Sequence, residues 1–228
     1  MILAQTADQP FFRWDWVVDH VDDIWAATAE HLWLTALAVG IGLVISLALS
    51  AIVLRWRKAY TPVTWITGIL YTIPSLALFA FLVPITGLST TTALVGLVSY
   101  TLLILIRNIV AGIDGVPREI LEAARGMGYT KRRQFFDIEL PLALPVIIAG
   151  IRIAAVTTIG LVTVTALIGK GGLGFFILRG LNLFYSSVGT TQIVVGTVVS
   201  VLLAIAVDLA LVGAERLATP WARHKATS

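Results

Sequence analysis

Five stretches of the chain are apolar for long enough to leave water altogether. Residues 32–54, 61–85, 91–113, 141–168 and 189–213 are dominated by Leu, Ile, Val, Ala and Gly. Each is about 20 residues or longer, enough for a helix to cross about 30 Å of hydrocarbon. The pattern therefore predicts five spanning helices. Pro74 interrupts the second and Pro84 closes it; a spanning helix tolerates a freed carbonyl where neighbours or water satisfy it.

Between the spans the pattern changes. In residues 11–30, Trp14, Val17, Val18, Val21, Trp25 and Thr28 share one helical face, with Asp15, Asp19, Asp22 and Asp23 elsewhere. This reads either as an interfacial helix with indole rings at headgroup depth or as an amphipathic helix packed on the rest. The first ten residues lack the basic start and apolar run of a cleaved signal peptide. Residues 87–92 form a short uncharged turn, and 169–187 a glycine-rich loop with a half-apolar segment. The expected organisation is an N-terminal segment 1–31, a transmembrane domain 32–213 containing a polar loop 114–140, and a polar tail 214–228.

The polar island at 116–145 has its own local logic. Pro117 suits the first position of a helix, where its missing N–H costs nothing. Glu119 meets the positive end of the helix dipole, and Ile120, Leu121, Ala123 and Ala124 continue the helix. Gly126 and Gly128 break it. Thr130 caps a second short helix through Lys131, Arg132, Arg133, Phe135 and Phe136 towards Pro141. Two short helices meeting at a glycine hinge are expected.

Composition supports a membrane protein: 58% hydrophobic and 13% charged, against about a quarter charged in soluble domains. The absence of cysteine excludes disulfides, thiol catalysis and cysteine metal sites. The net charge of +3 is unevenly placed. Eleven basic residues (Arg55, Arg57, Lys58, Arg118, Arg125, Lys131, Arg132, Arg133, Arg216, Arg223, Lys225) flank one side of the spans, and three (Arg13, Lys170, Arg179) the other. That bias predicts an outside N-terminus and a cytoplasmic C-terminus and island; it is a topology signal and not a nucleic-acid footprint. His20, His31 and His224 have no zinc spacing, and no serine has a base at a defensible spacing. The Gly169–Gly174 run follows a spanning helix rather than a strand and lacks a Lys-Ser/Thr ending, so it is read as a tight external turn and not a phosphate loop. No enzyme chemistry is expected on this chain.

Glu122-Ala123-Ala124, then Gly128, then after nine residues Ile138, Leu140 and Pro141, resembles the cytoplasmic loop of binding-protein-dependent ABC importer permeases. The likeness extends over Thr72-Ile73-Pro74-Ser75, Ile106-Arg107-Asn108, Gly112-Ile113, Ala149-Gly150-Ile151-Arg152 and Gly169-Lys170-Gly171-Gly172-Leu173-Gly174. Together these are similar to permeases of osmoprotectant importers for glycine betaine, choline or carnitine. Methionine-type permeases share a Gly-Gly-Leu-Gly element, so an amino-acid cargo is the alternative; a passive channel would need no docking island.

The resemblance implies an all-α integral membrane fold of about five spans plus the N-terminal helix and short coupling helices, in the cytoplasmic membrane. It implies a second permease (identical or related), two cytoplasmic ATP-binding subunits carrying ATP and Mg, and an external substrate-binding protein that holds the aromatic cage for the cargo. No cofactor is expected on this chain. Carried over by position, Glu119, Glu122, Ala123, Ala124, Arg125, Gly128 and Lys131 dock the ATPase; the basic residues among them either pair with it or anchor to anionic lipid. Arg107 and Arg152 are ionisable groups at membrane depth and functional candidates by default; the plainer reading pairs them with Asp114, Glu119 or backbone carbonyls to fix the loop, with Asp208 as another partner. Gly169, Gly171, Gly172 and Gly174 lie near the gate. Tyr71, Pro74, Tyr100, Thr157 and Thr163 either line the path or pack helices.

Overall fold

A computed structural model describes residues 10–221. The chain runs α1 (Trp14–Asp19), α2 (Val21–Arg55), α3 (Tyr60–Thr72), α4 (Ser75–Thr86), α5 (Thr90–Asp114), α6 (Arg118–Gly126), α7 (Lys131–Gln134), α8 (Leu140–Val162), α9 (Gly174–Asn182) and α10 (Ser187–Ala218). No strand occurs among the described residues. Four helical segments are long and apolar enough to cross a membrane, and α3 with α4 supplies a fifth if the broken pair counts as one span. The expected count of about five spans is consistent with this. Pro74 separates α3 from α4 in extended geometry (φ −56°, ψ 134°).

Three boundaries differ from expectation. The N-terminal helix and the first span are not separate: after a break at His20, α2 continues for 35 residues. No proline or glycine lies between Val21 and Val39, Asp22 and Asp23 occupy the first turn where the helix dipole favours them, and the alanines that follow are strong helix formers. At the other end α10 runs to Ala218, beyond the expected span limit of 213. Arg223, His224, Lys225 and the rest of the tail from 222 lie outside the described residues, as do residues 1–9.

The third difference is the island's second helix. It does not stop at Pro141 but passes through a widened π turn, Phe135–Glu139, directly into α8. Pro141 has no N–H and its ring crowds the carbonyl four residues back; the wide turn immediately before it relieves that crowding.

Contacts divide the chain into two compact units. One gathers the described residues up to Ala38, Ile73–Leu97 and Val156–Ala206. Its core is built from Trp16, Leu173, Phe176 and Val195. The other comprises Val39–Thr72, Val98–Ala155 and the described residues from Val207. There Leu105, Ile109 and Ile113 of α5 meet Ala143, Ile147 and Ala154 of α8. That contact is close because small residues line it: a Cβ on Gly112 would stand 3.0 Å from the Ala143 carbonyl oxygen, and one on Gly150 only 2.4 Å from Asn108 Cβ. Burial ranks the spans. Of the most apolar window, 56% is buried in α5 but 17% in α10, so most of α10 is left for lipid or another chain.

Candidate functional site

The island starts at Pro117, which caps α6, with Glu119 in its first turn and Arg125 in its last. Its end is a Schellman turn. Gly128 adopts φ +81°, the Tyr129 N–H donates to the Ala124 carbonyl at 3.0 Å, and the Gly128 N–H to the Arg125 carbonyl at 3.0 Å. Gly126 stays inside α6, so the hinge is Gly128 alone. Thr130 then caps α7, its Oγ1 accepting from the Arg133 N–H at 3.3 Å.

Side chains stiffen this corner. Gln134 is buried, accepting from Arg125 Nε at 3.3 Å and donating to Glu139 Oε1 at 2.8 Å. Arg133 pairs with Asp137 at 3.1 Å and lies 4.8 Å from the centre of the Tyr129 ring. Arg57 grips Asp114 with two bonds of 2.7 and 2.6 Å, tying the turn after α2 to the end of α5. Glu119, Glu122, Ala123, Arg125, Gly128 and Lys131 are all exposed. Ala124 is not: it is fully buried. Its expected place in the outward docking set is corrected, because a nine-residue helix must spend one face, here Leu121 and Ala124, on packing.

Of the partners expected for the two span arginines, Asp208 is found on Arg152, and Asp114 and Glu119 are corrected. Arg152 forms a two-pronged bond to Asp208 (2.9 and 3.1 Å) and a third to Glu215 at 3.3 Å, clamping α8 to α10. Neither Asp114 nor Glu119 is involved, since Asp114 is already held by Arg57. Arg107 is exposed on α5 and makes no ion pair among the described residues.

In the other unit, residues 163–168 tighten into a 3₁₀ turn and Gly169 to Gly174 reverse the chain. Gly172 (φ +46°) presses on α2: an added Cβ would stand 2.5 Å from the Ala27 carbonyl oxygen and 2.8 Å from His31. Gly171 and Gly174 approach Ala166 and Thr163 as closely, so the run is the tight turn the sequence suggested. His31 is fully buried beneath it. Its Nε2 lies 2.9 Å from the Ile159 carbonyl oxygen, which can only accept, so Nε2 carries the proton and Nδ1 is left without a partner.

A model of the family "binding-protein-dependent transport system inner membrane component" matches residues 38–217. The chain belongs to that family. Among its relatives, the choline transport system permease protein OpuBB of Bacillus subtilis is 39% identical over 193 residues, covering 85% of this chain and 87% of that one. The glycine betaine/carnitine/choline transport system permease protein OpuCB of the same organism is 38% identical over the same coverage. In fold, the permease is similar to a chain of the MetNI methionine ABC transporter in inward-facing conformations, with TM-score 0.72, 23% identity, and coverage of 91% of this chain and 100% of that one.

The residues expected on the path fall in both units. Tyr71 and Tyr100 meet edge-to-face at 6.0 Å within one unit, Tyr100 buried. Thr157, Thr163 and Pro74 belong to the other unit. The Thr163 hydroxyl donates to the Gly160 carbonyl at 2.7 Å, which spends it within its own helix. Sequence reasoning missed Gln134, Glu139, Glu215 and the Arg57–Asp114 pair. Their only signal is polarity beside a span, which does not say which partners meet across 57 residues.

Proposed function

We propose that this permease forms half of the translocation path of an importer for quaternary-ammonium osmoprotectants such as glycine betaine, choline and carnitine. The observation that carries the substrate class is the 38–39% identity, over 85% of the chain, to permeases named for those solutes. The partners are an identical or related permease, two cytoplasmic ATP-binding subunits that bind and hydrolyse ATP with Mg, and an external binding protein. The N-terminus lies outside and the C-terminus in the cytoplasm, as the basic-residue bias argues.

The outward face of α6, with Glu119, Glu122, Ala123 and Arg125, is the docking surface for the ATPase, and Gly128 with Lys131 closes its far edge. Beyond the Gly128 hinge the run α7–π turn–α8 is helical throughout, and the Arg125–Gln134 bond ties α6 to it, so a displacement of the docked face passes into the span. Docking of this kind makes a definite prediction. Glu122→Arg or Gly128→Pro should leave membrane insertion and expression unchanged, lower solute uptake at least tenfold, and leave ATP hydrolysis no longer stimulated by loaded binding protein. Normal uptake by both variants would remove the docking role.

A methionine or other amino-acid cargo is the second reading, favoured by the Gly171-Gly172-Leu173-Gly174 element, which resembles that of methionine-type permeases. Uptake of labelled glycine betaine, choline, carnitine and methionine into vesicles holding the full assembly separates the two. ATP-dependent uptake of a quaternary amine supports the first. Uptake of methionine alone supports the second, and uptake indifferent to ATP would point to a passive channel.

A further inference from the structure

A cavity of about 440 Å³ opens between α1, the first turns of α2, α9 and the first turns of α10, and its lining residues all belong to one unit. It is lined by Trp16, Phe175, Phe176, Gln192, Asp23 and Arg179. The aromatic side is fixed. Trp16 and Phe176 are both buried, meeting edge-to-face at 5.9 Å and 82°. His20 also borders the cavity and stacks on Trp16 at 4.3 Å, its Nδ1 donating to the Trp16 carbonyl at 2.8 Å. The polar side is uncommitted. Gln192 is 5% exposed, and its Oε1 is buried without a hydrogen-bond partner. Asp23 and Arg179 are exposed, with no ion pair among the described residues, whereas nearby Asp15 is already engaged by Arg13.

A tetra-alkylated ammonium has no N–H to donate, so hydrogen-bond acceptors alone do not recognise it; aromatic faces and a carboxylate do. A buried amide oxygen with no partner is an acceptor waiting for a donor such as a hydroxyl. An entrance carrying one carboxylate and one guanidinium matches a zwitterion. We propose that this cavity is a binding site of the permease itself for the quaternary-ammonium solute. The methylated head lies against Trp16, Phe175 and Asp23, a hydroxyl such as that of choline donates to Gln192, and a carboxylate such as that of glycine betaine meets Arg179. The proposal rests on the substrate class argued above. It adds a site on the permease to the cage expected on the binding protein.

The test uses the permease assembled with its ATPase in nanodiscs, without binding protein, and measures equilibrium binding of labelled choline and glycine betaine. Saturable choline binding, displaced by tetramethylammonium and not by sodium, is expected. Asp23→Asn, an exposed and structurally mild change, weakens choline at least tenfold. Arg179→Gln weakens glycine betaine about tenfold while leaving choline and tetramethylammonium unchanged, a split that general damage to the fold would not produce. Trp16→Leu abolishes binding of both, and Trp16→Phe retains part of it. The site is overturned if an assembly that imports choline with ATP and binding protein binds none in their absence, or binds it equally well after Asp23→Asn and Trp16→Leu. An assembly that imports no quaternary amine at all overturns the substrate reading and this site with it.

Discussion

One hydrogen atom in place of a methyl group sets how closely α5 and α8 cross. A side chain on Gly150 would collide with Asn108, whereas Gly160, ten residues further along the same helix, has nothing within 4 Å of where its Cβ would be. Two glycines that look alike in sequence are therefore expected to behave oppositely. Gly150→Leu overpacks the crossing and costs about 1–3 kcal/mol or more. Gly160→Ala relieves a helix interior of glycine and gains up to about 1 kcal/mol. Heat-denaturation midpoints of the detergent-purified assembly check both: the first falls and the second holds or rises. At this scale the sequence was only partly legible. Ala149-Gly150 marked the family, and Thr130 and Gly128 were readable as cap and break from local chemistry. Which glycine carries a packing constraint depends on the neighbouring helix, which no local pattern contains. Ala124 shows the same limit: in a helix this short, the face that turns inward is chosen by what it packs on.

Among elements, the α8–α10 clamp is the clearest device. Arg152, Asp208 and Glu215 come from two helices that are mostly apolar, and each is about a quarter to a third exposed. Removing the shared cation leaves without a counter-ion two partly exposed carboxylates that both bonded it, a like-charge pair that opposes the packing of α8 on α10. Arg152→Leu should lower the heat-denaturation midpoint and the yield of assembled complex, and adding Asp208→Leu should restore part of both. No recovery in the double variant would mean that the clamp is incidental to helix packing. Hydropathy located the helices that carry this triad, and α5 came within a residue of expectation at either end. It failed where polar residues continue a helix: α2 begins eleven residues before the apolar run, and α10 ends five after it. Helix formation there follows from backbone propensity and dipole-compatible charges, whereas hydropathy records only what prefers lipid. The nine-residue α9 was hidden for a similar reason, since its glycines read as loop, although Gly180 serves a close approach to Gly189.

For the molecule as a whole, the chain's lack of cysteine makes sidedness directly measurable. Met127 is 71% exposed on the island and Tyr185 is 81% exposed after α9. A single cysteine at Met127 should resist a membrane-impermeant maleimide in spheroplasts and react in inverted vesicles, with Tyr185→Cys showing the reverse. Labelling of both from one side would overturn the five-span topology. The length of α2, about 52 Å at 1.5 Å per residue, exceeds the hydrocarbon thickness of about 30 Å, so that helix tilts or extends into an interface, where Trp14 and Trp25 are exposed. The π turn at Phe135–Glu139 carries a further consequence, for how this chain tolerates loss of length. A π turn holds one residue more than regular winding needs. Deleting a residue there closes the bulge and crowds Pro141, yet α8 keeps its rotational phase relative to the island. The same deletion after Pro145 turns one part of α8 about 100° against the other, swinging Arg152 away from its carboxylates. Within one continuous helix, five residues can absorb a frame of one, and the turns beyond Pro145 cannot.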